Sequence, residues 1–305
     1  MDAPALPPPP AIEVRTETLT TGRLADRLPA RDGADLVLLY TAEERGSLDT
    51  CGCAVRPRGS AARAVGYRKR IQRRDPDVPT LLLDVGGWLD DAMYPDGTLQ
   101  EHVPARNTFM VQGLAQGGWD VLGVGWRDAP YLAGTDLPEP AVSANLNGPG
   151  LATHHILTAG GLTVAVTAVT SAGPTWKHVA GWDVADPVAA LTLLVPTLAA
   201  DVVVVLAFDT DDATRQIVRQ IPGVDVVIEA DDFTERAEVL GDADTIWVRA
   251  HTQGMRLGEL RLHLSDGRVT SGVDRQIDLD HVIPADRGLW HLKEAQKRAV
   301  AARSD

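Results

Sequence analysis

The chain has 305 residues, enough for one large domain or two small ones with an ample core. A hydrophobic share of 44% and a charged share of 23% are ordinary for a folded globular protein, and two cysteines exclude a disulfide scaffold. Forty-two acids against 29 bases leave a net charge of −13, which argues against a nucleic-acid backbone as partner, and no apolar run is long enough to span a bilayer.

In chain order, residues 1–34 open with "MDAPALPPPPAIEV", a Pro-rich extended tail and lead-in. No basic segment followed by an apolar one begins the chain, so the default expectation is a cytoplasmic protein, and export would need a signal not seen in this start. Residues 35–280 then alternate strands with helices. Short Val/Leu/Ile runs at 36–40, 80–84, 121–124, 163–170, 201–207, 224–228 and 245–249 have the character of strands covered on both faces. Helical stretches lie between them: "AARAVGYRKRIQRR", "NTFMVQGLAQGG" with its Gly stop, and "DPVAALTLLVPTLAA" with Asp186 as N-cap, Pro187 at the first turn and Pro196 as a break. "DDATRQIVRQI" is another. His154-His155 reads as a strand start. "LGELRLHLSDGRVTSGVDRQIDL" alternates like a hairpin turning at Asp-Gly, and residues 281–305 close the chain with a basic helix expected to act as a solvated cap. The expected fold class is α/β.

In a helix-covered sheet, function gathers at the C-terminal strand ends. Here those ends read "YTAEERG", "LLLDVGGWLDD", "VLGVGWRDAP", "VSANL", "VVVVLAFDTDD", "VDVVIEADDFTE" and "IWVRAHTQGMRLGEL". The series, from about Leu36 to about Leu264, resembles the calcineurin-like metallophosphatase domain, in the branch that holds 5′-nucleotidases and UDP-sugar hydrolases. The Cys-Gly-Cys at 51–53, followed by Pro57, Gly59 and Arg63, resembles a bacterial subgroup of that family. The resemblance implies a four-layer α/β/β/α sandwich with mixed sheets and a pair of divalent metals that activate water against a phosphoester. It also implies that the nucleoside-binding C-terminal domain of the nucleotidases is missing, since the sequence stops where their first domain ends.

Carried over position by position, the resemblance finds few of the family's ligands. The first Asp falls at Glu43 and its His at Arg45. Asp84 stands at the second strand end, but the bridging Asp falls at Gly87. The Gly-Asn-His-Asp motif becomes Gly125-Trp126-Arg127-Asp128, the lone His becomes Phe208, and Gly-His-x-His becomes Ala230-Asp231-Asp232-Phe233. Arg45 and Arg127 set fixed positive charges where cations would sit, and Phe208 and Phe233 offer no lone pair.

Three further chemistries stay open. Glu43, Asp84, Asp128, Asp209 and Asp231 form a set of hard oxygens that suits a divalent metal such as Mg, Mn or Ca, against the plain alternative of acids paired with Arg45 and Arg127. Those two arginines, with Arg63 nearby, would instead bind an anion such as a phosphate-bearing small molecule. Cys51 and Cys53 form a thiol pair able to close a strained disulfide, with Arg56 and Arg58 placed to favour the thiolate, against the plain alternative of a buried structural pair. Trp126 in the third motif is expected to plug part of the old cavity. No Gly-x-Gly-x-x-Gly, P-loop or Gly-x-Ser-x-Gly is present. The resulting expectation is a metallophosphatase-fold protein that needs no cofactor, has lost two-metal hydrolysis, and acts through anion binding or the Cys-Gly-Cys thiols. The alternative is an active metal-dependent phosphoesterase built on the residual carboxylates.

Overall fold

The computed structural model describes residues 12–173, 181–230, 240–242 and 245–302. Its elements follow the hydrophobic periodicity closely. After β1 (Glu13–Leu19) and the short α1 (Leu24–Arg27), β2 (Leu36–Thr41) enters the interior, followed by α2 (Ala61–Arg74), β3 (Thr80–Asp84), α3 (His102–Gly117) and β4 (Val121–Gly123). A short α4 (Ala129–Leu132) and the two-residue strands β5 (Ala141–Val142) and β6 (Leu146–Asn147) lead to the second half. That half holds β7 (His154–Ala159), β8 (Leu162–Thr170), β9 (Asp183–Val184), α5 (Pro187–Leu194), β10 (Val202–Phe208), α6 (Asp211–Gln220), β11 (Val226–Ala230), β12 (Leu240–Asp242) and β13 (Thr245–Arg249). The long hairpin β14 (Arg256–Ser265) and β15 (Arg268–Asp278) and the closing α7 (Arg287–Ala301) complete the chain.

Two mixed sheets result, ordered β1-β15-β14-β2-β3-β4-β5 and β12-β13-β11-β10-β8-β7. Alternation along each strand explains why they stack. In β2, Leu36, Leu38 and Tyr40 point to the second sheet and join Val164, Val204 and Ile228 in one core. Val37 and Leu39 point the other way, toward Tyr67, Ile71, Met110 and Leu289 of α2, α3 and α7. On the far side, Val203, Val205 and Val227 pack against Leu191 of α5 and Ile217 of α6. With both faces of both sheets buried, the layers run α/β/β/α, the architecture that the resemblance implied.

Local chemistry sets the boundaries. Asp186 and Thr210 cap α5 and α6, each accepting a backbone N–H from the first turn, and Pro196 closes α5 into a single 3-10 turn. Asp266 and Gly267 take left-handed φ values of 52° and 73°, as an Asp-Gly hairpin turn requires. Beyond shifts of a residue at strand ends, three differences from the sequence reading stand out. The helix expected from residue 107 begins at His102, because Pro104 falls in the first turn, where its missing N–H is harmless. The strand expected at 224–228 is shifted to Val226–Ala230. Within the lead-in, Glu13–Leu19 forms an edge strand paired in parallel with β15; its mostly exposed, charged sequence carries no core periodicity to reveal it.

Candidate functional site

The C-terminal ends of β2, β3 and β4 in one sheet meet the end of β10 in the other. Their loops are tied by backbone bonds: Glu43 N–H donates to Gly86 O (3.0 Å), Arg45 N–H to Gly87 O (3.1 Å) and Gly46 N–H to Trp88 O (2.8 Å). Asp128 stitches the neighbouring loops together, its carboxylate accepting the N–H groups of Gly87, Leu89 and Gly125, each at 2.9 Å. Burial outweighs these donors and raises its pKa to about 7.

Between the sheets sits Phe208, only 2% exposed. A Cβ placed on Gly87 would lie 2.7 Å from its ring, one on Gly125 2.5 Å and one on Gly86 3.2 Å. The ring therefore rests on three side-chain-free positions, one of which is where the resemblance puts the bridging Asp. Trp126 meets Phe208 at 6.1 Å between ring centroids. Arg127 stacks over Trp126 at 4.6 Å and pairs with Asp91 at 2.8 Å, so its guanidinium is engaged by a ring and a carboxylate.

Asp84 is fully buried, accepting the Thr41 hydroxyl (2.7 Å) and Gly86 N–H (3.0 Å) and hydrogen-bonding the Glu44 carboxyl. Burial, and then the charge of Glu44, pushes Asp84 well above the usual carboxylate range, and burial raises Glu44 as well. Glu43 accepts the Thr252 hydroxyl (2.6 Å) and an Arg45 N–H (3.3 Å). Arg63 donates to the carbonyl of Leu279 (2.9 Å) and more weakly to that of Gly59. Asp209 accepts the Ser171 hydroxyl at 2.7 Å. Asp231, Asp232 and Phe233 lie outside the described residues. Among the described residues no group of three or more His, Cys, Asp or Glu side chains stands together as a metal cluster.

Beside this packed centre a cavity of about 260 Å³ opens between the β2 loop and α3, with Glu44, Arg45, Asp49, Cys51, Arg106 and Gln253 on its wall. Four non-glycine residues around the loop have left-handed backbones: Glu43 (φ 58°), Arg45 (49°), Ser60 (99°) and Gln253 (56°). Each such conformation costs about 1 kcal/mol or more, so the surrounding structure holds this loop in place. Part of the hold comes from α7, where Gln296 accepts Leu48 N–H (3.1 Å) and donates to Gly46 O (2.7 Å) and Arg106 O (2.9 Å). Residues 51–58 project as a small loop closed at its base, with Cys51 N–H donating to Arg58 O (2.8 Å) and Arg58 N–H to Cys51 Sγ (3.5 Å). Cys51 is half-buried and Cys53 exposed, both as free thiols. The backbone N–H groups of Arg56 and Val55, aided by the charges of Arg58 and Arg56, hold the Cys53 thiol below its ordinary pKa.

Sequence reasoning did not find Glu44, Arg106 or Gln296. Glu44 was one of two adjacent acids, both of them buried, and only the geometry at the strand's end shows which one meets Asp84. Arg106 and Gln296 lie on helices where a polar residue ordinarily marks the wet face.

No protein-family model and no curated protein matches the sequence. Solved structures do. Thermus thermophilus sulfate thiohydrolase SoxB superposes with a TM-score of 0.72 at 15% identity, covering 88% of this chain and 61% of that one. The 5′-nucleotidase precursor of the same organism gives 0.67 at 19%, covering 88% and 59%. The Candida albicans 5′-nucleotidase gives 0.67 at 12%, with the same coverage of 88% and 59%. The fold is that of the metallophosphatase-like 5′-nucleotidases. The chain spans about three fifths of the length of these metallophosphatase-fold neighbours, and at such identities the likeness speaks for the fold alone.

Proposed function

We propose that this chain is a metallophosphatase-fold protein that has given up two-metal phosphoester hydrolysis and works instead through small-anion binding and the Cys51–Cys53 thiols. The observation that carries the reading is the Phe208 ring lying on Gly86, Gly87 and Gly125. A dinuclear centre needs a bridging ligand, imidazole or carboxylate donors, and open positions for water and phosphate. Where the fold's neighbours suggest such a centre, this chain presents a phenyl ring on glycine, a guanidinium stacked on Trp126, and Asp128 spent on three backbone amides. The described residues do not fit a pair of metals.

The rival, a phosphoesterase using Glu43, Asp84, Asp128 and Asp231 around a hard divalent ion, finds less support. Asp84 is fully buried, with its oxygens already accepting the Thr41 hydroxyl and Gly86 N–H, which leaves little of the carboxylate open to a cation. The direct test is hydrolysis of bis-p-nitrophenyl phosphate and nucleoside monophosphates with added Mn, Mg, Zn or Ca. No turnover above the protein-free rate is expected. Chelator-sensitive turnover would overturn the proposal and return the carboxylates to the role of a site.

A further inference from the structure

The cavity beside the Cys-Gly-Cys loop joins a thiol to two guanidiniums, and this arrangement names a substrate class. Arg45 and Arg106 both line it. Each is braced from behind by a buried acid: Arg45 by Glu43, whose side chain is 1% exposed, and Arg106 by Asp90, 9% exposed, while the arginine side chains themselves are 35% and 33% exposed. Guanidiniums held this way are fixed in orientation with a face toward the cavity, which is the preorganisation that anion recognition exploits. Of the wall acids, Asp49 is paired with Lys293 and Lys297, and Glu44 is hydrogen-bonded to Asp84. Cys51 stands on the same wall, with Cys53 two residues away on the exposed loop. Gly52 between them has φ 75° and open space around it, so the chain can turn one thiol toward the other.

We propose that this pocket is a dithiol site for small anionic disulfides, with Arg45 and Arg106 holding the acid group, Cys51 attacking and Cys53 resolving. The Cys51 thiolate attacks one sulfur of the bound disulfide; the substrate S–S bond breaks, a Cys51 mixed disulfide forms, and the first thiol leaves with a proton. The Cys53 thiolate then attacks the Cys51 sulfur, forming Cys51–Cys53 and releasing the second thiol. Two electrons pass from the protein dithiol to the substrate, and a dithiol reductant restores the protein. The proposal rests on the thiol reading above.

The test uses the full-length, pre-reduced protein with three alkyl disulfides of matched reactivity: dithiodipropionate (dianion), bis(2-hydroxyethyl) disulfide (neutral) and cystamine (dication). Each rate is divided by that for free N-acetylcysteine. The dianion is expected to lead the dication by about tenfold or more, the scale of local electrostatic guidance. Cys53→Ser should keep this preference and stop at a mixed disulfide mapped to Cys51 by mass spectrometry. Cys51→Ser should lose it, as should Arg106→Ala, whereas Arg106→Lys should keep part of it; circular dichroism checks that each variant folds. Equal normalised rates for the three disulfides, or a preference that survives in Cys51→Ser, would overturn the proposal. Loss of preference without phosphoester hydrolysis sinks this inference alone, while chelator-sensitive hydrolysis sinks the functional reading beneath it.

Discussion

Phe208 and Gly87 are one feature seen from two sides. A phenyl ring resting on a glycine leaves no room for the side chain that a bridging ligand would need, so the two positions should be energetically coupled. Phe208→Ala is expected to destabilise by about 3–5 kcal/mol, the usual range for emptying a buried phenylalanine site. Gly87→Ala should cost about 2 kcal/mol or more, through its positive φ and the ring contact together. In the Phe208→Ala background the contact is gone, and Gly87→Ala should cost at least about 1 kcal/mol less; urea denaturation of the four proteins measures the cycle. Additive costs would show that the ring does not occupy the space over Gly87. The residues Gly87, Trp126 and Phe208 were legible in the sequence at the strand ends. The partner on the glycines was not: Trp126, expected to plug part of the cavity, packs against Phe208 and carries Arg127, while Phe208 is the ring that lies on the glycines. Adjacent aromatics at two strand ends give no sequence signal of which one points inward.

At the scale of elements, the loop after β2 depends on a helix nearly 250 residues away in sequence. Gln296 of α7 serves one donor and two acceptors of that loop and of α3. Gln296→Ala leaves Leu48 N–H, Gly46 O and Arg106 O without it, and unmet buried groups cost about 1–3 kcal/mol each. The variant should lose stability by about 2 kcal/mol or more, and hydrogen exchange should rise at Gly46 to Cys51 ahead of the sheet cores. Unchanged exchange there would mean that α7 is only a cover. The helix itself was plain from its basic composition. Its docking was not, because two of the three residues it buries, Lys293 and Gln296 beside Leu289, are polar and fit the pattern of a solvated face. The strand β1 was missed for the related reason that an edge strand buries little and needs no apolar alternation.

The whole molecule carries −13 charges and buries several acids at once. Desolvation raises Asp274 to about 6, Asp128 to about 7 and Glu229 to about 8, and lifts Asp84 and Glu44 too. A carboxyl whose folded pKa exceeds its unfolded value of about 4 stabilises fully below that value, and its contribution is lost as pH rises through the folded pKa. Asp32, Asp49, Asp280 and Asp286 are lowered in the folded state by their Arg or Lys partners, and they act oppositely, losing their contribution as pH falls through their folded values. The urea midpoint should therefore peak on the mildly acidic side and decline from about pH 5 to about pH 8; a midpoint rising over that interval would contradict the assignment of proton-retaining interior acids. The α/β class was visible in the continuous Val and Leu runs, and the layered α/β/β/α plan was what the family resemblance of the strand ends implied. The packing at the strand ends was not visible, since its contacts come from residues far apart in the chain.

The central claim is that the strand-end centre is packed with side chains rather than built for metal. Elemental analysis of the purified protein, before and after chelation and again after exposure to Mn, Mg, Zn and Ca followed by desalting, tests it most directly. The account predicts less than one equivalent of any of these metals and no change in the urea midpoint on chelation. One or two equivalents removed by chelator, with the midpoint falling as they leave, would contradict it.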